Sequence, residues 1–180
     1  IICNTLKLTT DISKNIPNNI GEVYKNFLEI IKNREIEREG SKIEFLVICR
    51  ILMVLAYKKY EENFSYFGEN NFLYAIKEVE NKFKTRVSYL NLLKTTEIIN
   101  EIVRSGFLRQ ITDKEKIGHA FIHSSWEDYF AASYIVEYKD RIKKLINKHL
   151  IDNKWQDVFL VVTNLLPKAD GFLLKMKTKV

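Results

Sequence analysis

FIHSSWEDYFAASYIVE, residues 121–137, joins a strand-like run to a helix-like one, with a histidine at the seam. Upstream of the seam, IGHAFIH (117–123) alternates. His119, Phe121 and His123 fall on one strand face, and Gly118, Ala120, Ile122 and Ser124 on the other. Downstream, Trp126, Tyr129, Phe130 and Ser133 recur at helical spacing, and Ala131 and Ala132 leave room for close helix packing. Ser124 and Glu127 have capping-box spacing, which starts the helix near Ser124–Ser125. His123 therefore precedes a helix N-terminus, where unpaired N–H groups and the helix dipole favour anions. A histidine there can donate a hydrogen bond to a phosphate; the alternative is a histidine that caps the turn or bonds a backbone carbonyl.

Working backwards, FLRQIT (107–112) and IGHAFIH flank DKEK (113–116), which reads as a β-hairpin with a four-residue connection. Three helices are expected before it. One spans about Ile43 to Tyr60 and contains the apolar run FLVICRILMVLAY; it follows the break at Gly40-Ser41. The next carries Phe72, Ile76, Val79 and Phe83, after a turn at FSYFGEN. The third runs from about Ser88 to Ser105, with Ile98, Ile99, Ile102 and Val103 as its buried stripe, an interruption at Thr95-Thr96, and Gly106 as its C′ residue. Three helices followed by a two-stranded wing is the winged-helix order, here covering about Ile43 to His123.

The flanks are helical too. Residues 16–37 open with Pro17, show capping-box spacing at Asn19 and Glu22, and carry an apolar stripe of Val23, Phe27, Ile30 and Ile31. Helices are expected at about Asp140–Leu150 and Lys154–Leu166, with a last turn after Gly171. The fold class is thus mainly α, a helical bundle around a central winged-helix domain. The boundaries are 1–40, 41–124 and 125–180.

At 180 residues, 46% hydrophobic and 29% charged, the chain can bury a core and is not of disordered composition. No apolar run reaches the roughly 18–20 residues a membrane span needs. Cys3 and Cys49 form no CxxC pair, which fits a reducing cytoplasm without structural zinc. The net charge of +6 comes from scattered lysine rather than a patch. The chain begins Ile1-Ile2-Cys3, with no signal peptide in view, so a longer parent is expected.

Catalytic motifs are missing: no GxxxxGK[ST], no HExxH, no GxSxG. His119 and His123 lie ~13 Å apart along an extended strand, too far for one metal at ~2 Å from each ligand. No metal site and no autonomous enzyme are expected.

The motif residues carry a family resemblance. FIHSSWEDYFAASYIVE resembles the F-x-H-x-x-[FW]-x-[ED]-[YF]-[FL]-A-A signature in the winged-helix region of NACHT-type STAND NTPases, which include NOD-like receptors and many bacterial signalling and antiphage proteins. In order along the chain, IPNNIGEVYKNFLEII resembles the family's L-P-x-x-x-x-x-L-Y-x-x-F helix. INEIVRSGFLRQI resembles its lead into the wing, and KWQDVFLVVTNLLP the start of the following helical domain. The likeness spans essentially the whole chain; the histidine–aromatic–acid–Ala-Ala run is its specific part.

The resemblance implies that His123 contacts a nucleotide β-phosphate and holds a closed, ADP-bound state. Phe121, Trp126, Tyr129, Phe130, Ala131 and Ala132 would form the motif core. NTLKL (4–8) stands where the family commonly has N-P-L-x-L, so Thr5 replaces a proline on the adenine side. The phosphate-binding loop and Mg-binding strand of the family would lie N-terminal of Ile1, so this segment should lack ATPase activity. ADP or ATP with Mg belongs to the parent. The implied role is the regulatory arm of a cytoplasmic signalling ATPase, of the antiviral-defence kind among others. Its partners would be its own NTPase domain, further C-terminal repeats and other copies in an active homo-oligomer.

Two other readings stand beside this one. A helical interaction module without a ligand is the plainer. A DNA-binding winged helix would insert the helix ending at Ser105 into the major groove, offering Asn91, Lys94, Asn100 and Arg104. Glu97 and Glu101, expected on its exposed face, would repel phosphates and argue against nucleic acid.

Overall fold

The computed structural model describes residues 17, 19–37, 40–83, 87–113 and 116–179. Helix dominates, with one small antiparallel sheet.

Ten of the eleven positions from Val47 to Tyr57 are buried, Arg50 being the exception, so this segment can only be an interior helix. It forms α2, Phe45–Glu62, and closes on Asn63 in the left-handed region (φ 55°), whose N–H donates to Lys59 O. Arg50 is accommodated by laying its guanidinium 3.6 Å over the Phe83 ring, beside Glu137. Before it, α1 spans Ile20–Glu37, and Asn19 accepts the Glu22 N–H at 3.0 Å. The packed stripe of α1 is Tyr24, Phe27, Leu28 and Ile31, with Ile30 left 40% exposed. The expected stripe is therefore rotated: two aromatics and a leucine outweigh Val23 and Ile30.

After α2 come α3 (Glu69–Phe83), a 3-10 turn (Ser88–Leu92) and α4 (Thr95–Arg104). The expected helix from Ser88 to Ser105 is thus two pieces. The break falls just before Thr95, where the Glu97 carboxylate accepts the Lys94 backbone N–H at 2.9 Å. Gly106, at φ 85°, ends the helix.

β1 (Leu108–Asp113) pairs with β2 (Lys116–Phe121), Leu108 opposite Phe121 and Asp113 opposite Lys116. The strands run into DKEK from both sides, so Asp113 and Lys116, expected in the connection, are paired strand residues. A further bridge was not legible in the sequence: Phe67, from the stretch read as a turn, exchanges both backbone hydrogen bonds with His119 at 2.7 and 2.9 Å. Both backbone groups of His119 are thereby spent on Phe67, and β2 is flanked on both edges. Gly118 lets this happen. A Cβ there would sit 2.4 Å from the Tyr66 ring, which covers the strand face.

α5 (Ser124–Glu137) is buried nearly all round. Ala131 and Ala132, both fully buried, set the close approach to α2, the most extensive helix contact in the fold. α6 (Lys139–His149), a 3-10 turn (Asn153–Trp155), α7 (Gln156–Leu165) and α8 (Asp170–Lys177) follow. α7 packs on the other side of α5. One continuous core therefore crosses residue 124, from Ile43 to Phe172. Among the described residues, no helix is long and apolar enough to cross a membrane.

Candidate functional site

β2 delivers Phe121 into the core, where its ring meets Phe67 at 5.6 Å and stacks on Phe130 at 6.0 Å. The chain then turns outward. Ile122 donates its N–H to Phe107 O, tying the turn to the start of β1. His123 takes extended angles (φ −141°, ψ 139°) as the N-cap of α5, and its carbonyl accepts the Trp126 N–H at 3.2 Å. No side chain caps this helix end. The capping box read from Ser124 and Glu127 does not form: Ser124 is already helical, and Glu127 is taken by Lys59, 2.5 Å away. His123, Ser124 and Ser125 are all exposed.

Beneath this outward turn the motif aromatics point inward. Trp126, Tyr129 and Phe130 are buried, with centroids 5.6–5.9 Å from one another. Phe107 closes on Trp126 at 5.0 Å and on Phe130 at 5.1 Å, edge to face. α1 completes the cluster through Tyr24, 4.7 Å from Tyr129 and 5.3 Å from Trp126. The motif therefore divides into a solvent-facing histidine and an aromatic anchor that ties α1, the hairpin and α5 together.

His119 does not join His123. Its ring stands edge-on to Phe72 at 5.4 Å, and burial pulls its pKa below the ordinary histidine value. His149 lies elsewhere, stacked on Trp155 at 4.3 Å. No group of three or more His, Cys, Asp or Glu among the described residues could hold a metal ion. Thr5 lies outside the described residues.

Two acids of α5 have partners that the sequence did not reveal. Neighbouring residues of α2, Lys59 and Tyr60, hold neighbouring residues of α5, Glu127 and Asp128. The Tyr60 hydroxyl donates to Asp128 Oδ1, and Lys59 Nζ reaches Glu127 Oε2. Burial pushes the Asp128 carboxyl up to about 6; the Tyr60 hydrogen bond pulls the other way, and Asp157 and Glu127 add to the rise. From the far side, Lys154 places Nζ 2.8 Å from Tyr60 O and 3.0 Å from Asn63 Oδ1, a cation at the carboxyl end of α2. The legible signal was an acid, Asp128, amid apolar residues on a helix with no polar face; its partner, 68 residues away, was not legible.

Cavities lie apart from this seam. A recess of about 510 Å³ between α1, α2, α5 and α7 is lined by Leu28, Met53, Phe130 and Leu165 among others. Another of about 420 Å³ sits around Ser41 and Tyr89. Neither includes His123, which stands on open surface, so a ligand held there needs a second wall from another body.

The exposed face of α4 is nearly neutral. Glu101, expected outside, is buried, with Arg104 at 3.0 Å and the Ser41 hydroxyl at 3.5 Å. Glu97 pairs with Lys42 at 2.6 Å. Comparison with protein-family models, with curated proteins and with solved structures finds no match.

Proposed function

We propose that this chain is the winged-helix and helical-domain arm of a NACHT-type STAND signalling NTPase, holding the nucleotide-dependent closed state of a longer parent. The observation that carries the reading is the division of the 121–132 motif: His123 exposed at an uncapped helix N-terminus, with the signature aromatics buried directly behind it. An imidazole and free N–H groups facing outward suit an anion brought by a second body. The parent's NTPase domain, with ADP and Mg, would be that body. The order helix, short strand, helix, helix, hairpin supports the winged-helix part of the reading.

The mechanism follows from differential contact. A histidine that bonds ADP only in the closed arrangement lowers the free energy of that state alone. A hydrogen bond to a charged group is worth ~1.5–3 kcal/mol, or roughly 10- to 150-fold in the closed-to-open ratio. His123→Leu in the full-length parent should speed ADP dissociation by that factor and raise oligomerisation without a trigger. Unchanged ADP dissociation would refute the role of His123.

DNA binding is the second reading, and the burial of Glu101 removes one objection to it. What remains is an α4 face offering Asn100 and Thr96, with exposed Lys94 at its start and Asn91 before it; the other cations nearby, Arg104 and Lys42, are paired with acids. Little is left to neutralise phosphates. A gel shift at physiological salt should show no sequence-dependent complex; a sub-micromolar one would reverse the order of the two readings.

A further inference from the structure

The Tyr60–Asp128 bond lies where α5 could pivot. It joins the second turn of α5 to the last turn of α2, and Asp128 is only 8% exposed. At 1.5 Å per residue it sits roughly 7–8 Å along the axis from the His123 cap. His123 itself has no side-chain bond to hold the helix end. The Lys59–Glu127 pair, with side chains 20% and 13% exposed, grips the same turn from the rim. The aromatic anchor fixes the opposite flank of the helix through Tyr24 and Phe107. We infer that Asp128 is a positioning residue, its bond to Tyr60 fixing the first two turns of α5, and with them the direction of His123, against α2. For its consequence in ADP retention this rests on the reading proposed above; as a statement about the helix it stands alone.

Charge gives the inference a signature that packing alone would lack. The charged and titratable groups around Asp128 are Tyr60 and Lys59 from α2, Glu127 from α5, Tyr24 from α1, Asp157 from α7, and Lys154 beyond the α2 terminus. Burial raises the Asp128 pKa, so between about pH 4 and 6 the folded carboxyl keeps a proton that an opened one releases. Opening of this turn therefore becomes easier as pH rises through that window. Tyr60→Phe removes a hydrogen bond that lowers the Asp128 pKa, so it should move the step upward.

The test is amide hydrogen exchange on the 180-residue chain, corrected for intrinsic rates and read peptide by peptide. Tyr60→Phe should speed exchange at the bonded amides of residues 126–128 by roughly tenfold or more, leaving 108–113 in β1 near the wild-type rate. Asp128→Asn, which keeps an acceptor for Tyr60, should abolish the pH step, and His123→Gln should leave it in place. Acceleration spread evenly over the chain, no acceleration at 126–128, or a pH step surviving Asp128→Asn would each overturn the inference. Exchange needs no nucleotide, so a silent His123→Leu in ADP release would refute the proposed function without touching this result.

Discussion

Phe130→Ala probes the anchor behind His123. Phe130 is 1% exposed, and its ring is met by Phe107 at 5.1 Å, Tyr129 at 5.6 Å, Trp126 at 5.9 Å and Phe121 at 6.0 Å. Truncating a phenylalanine in such a setting costs ~3–5 kcal/mol. The upper half of that range applies, because the four rings, two on α5, one on β2 and one in the connection before β1, cannot all shift to fill the void. The neighbouring recess of about 510 Å³ also borders this ring, so water or a relaxed α1 can recover only part of the loss. For a chain of this size one kcal/mol shifts Tm by ~2–4 °C, giving a fall of about 8–20 °C. Differential scanning fluorimetry against wild type measures it, with Ile151→Ala, at a 91% exposed position, as the control that should move by under ~2 °C. If Phe130→Ala melts as close to wild type as that control does, the aromatic cluster is not what holds α5, and the division of the motif into anchor and exposed histidine fails.

Gly118→Ala should lower stability by about 1–3 kcal/mol, since the new Cβ meets the Tyr66 ring at 2.4 Å. Tyr66→Ala in the same chain should restore most of the loss, and a denaturant-unfolding cycle that shows no coupling would sink the steric account. Burial pushes the Cys49 thiol up to about 12, so in a Cys3→Ser background native Cys49 should resist alkylation at pH 8 and react only through opening. Reaction at the rate of a free thiol would place it on the surface.

Much of the helical layout was legible because period and burial agree. Val47–Tyr57 left no polar face to doubt, and Gly106 stood where a left-handed residue ends a helix. The hairpin showed in alternation. Phe67 gave no such signal, since one bridged residue has no period. The candidate site was half legible. Local sequence placed His123 before a helix, and the structure makes it the cap. Tertiary partners decided the rest: Lys59 drew Glu127 away from its cap, Tyr60 took Asp128, and Ser41 met Glu101 as it turned inward. Spacing along one helix cannot report partners some 60 residues distant.

The bridge between Phe67 and His119 bears on how quickly the chain assembles. Those residues are 52 positions apart, and the segment between them holds α3, α4 and β1. Closing a flexible loop of that length costs about 3.5 kcal/mol, against about 1 kcal/mol for the short hairpin connection, by the (3/2)RT ln n rule. Two backbone hydrogen bonds return only ~1–3 kcal/mol, so the bridge cannot nucleate its own closure. The hairpin should form early on local contacts, and Phe67 should dock on β2 only after α3 and α4 have condensed onto α2. Folding measured through Phe67 should therefore lag behind folding measured through the hairpin, and substitutions at Phe67 should chiefly speed unfolding while leaving the folding rate nearly unchanged.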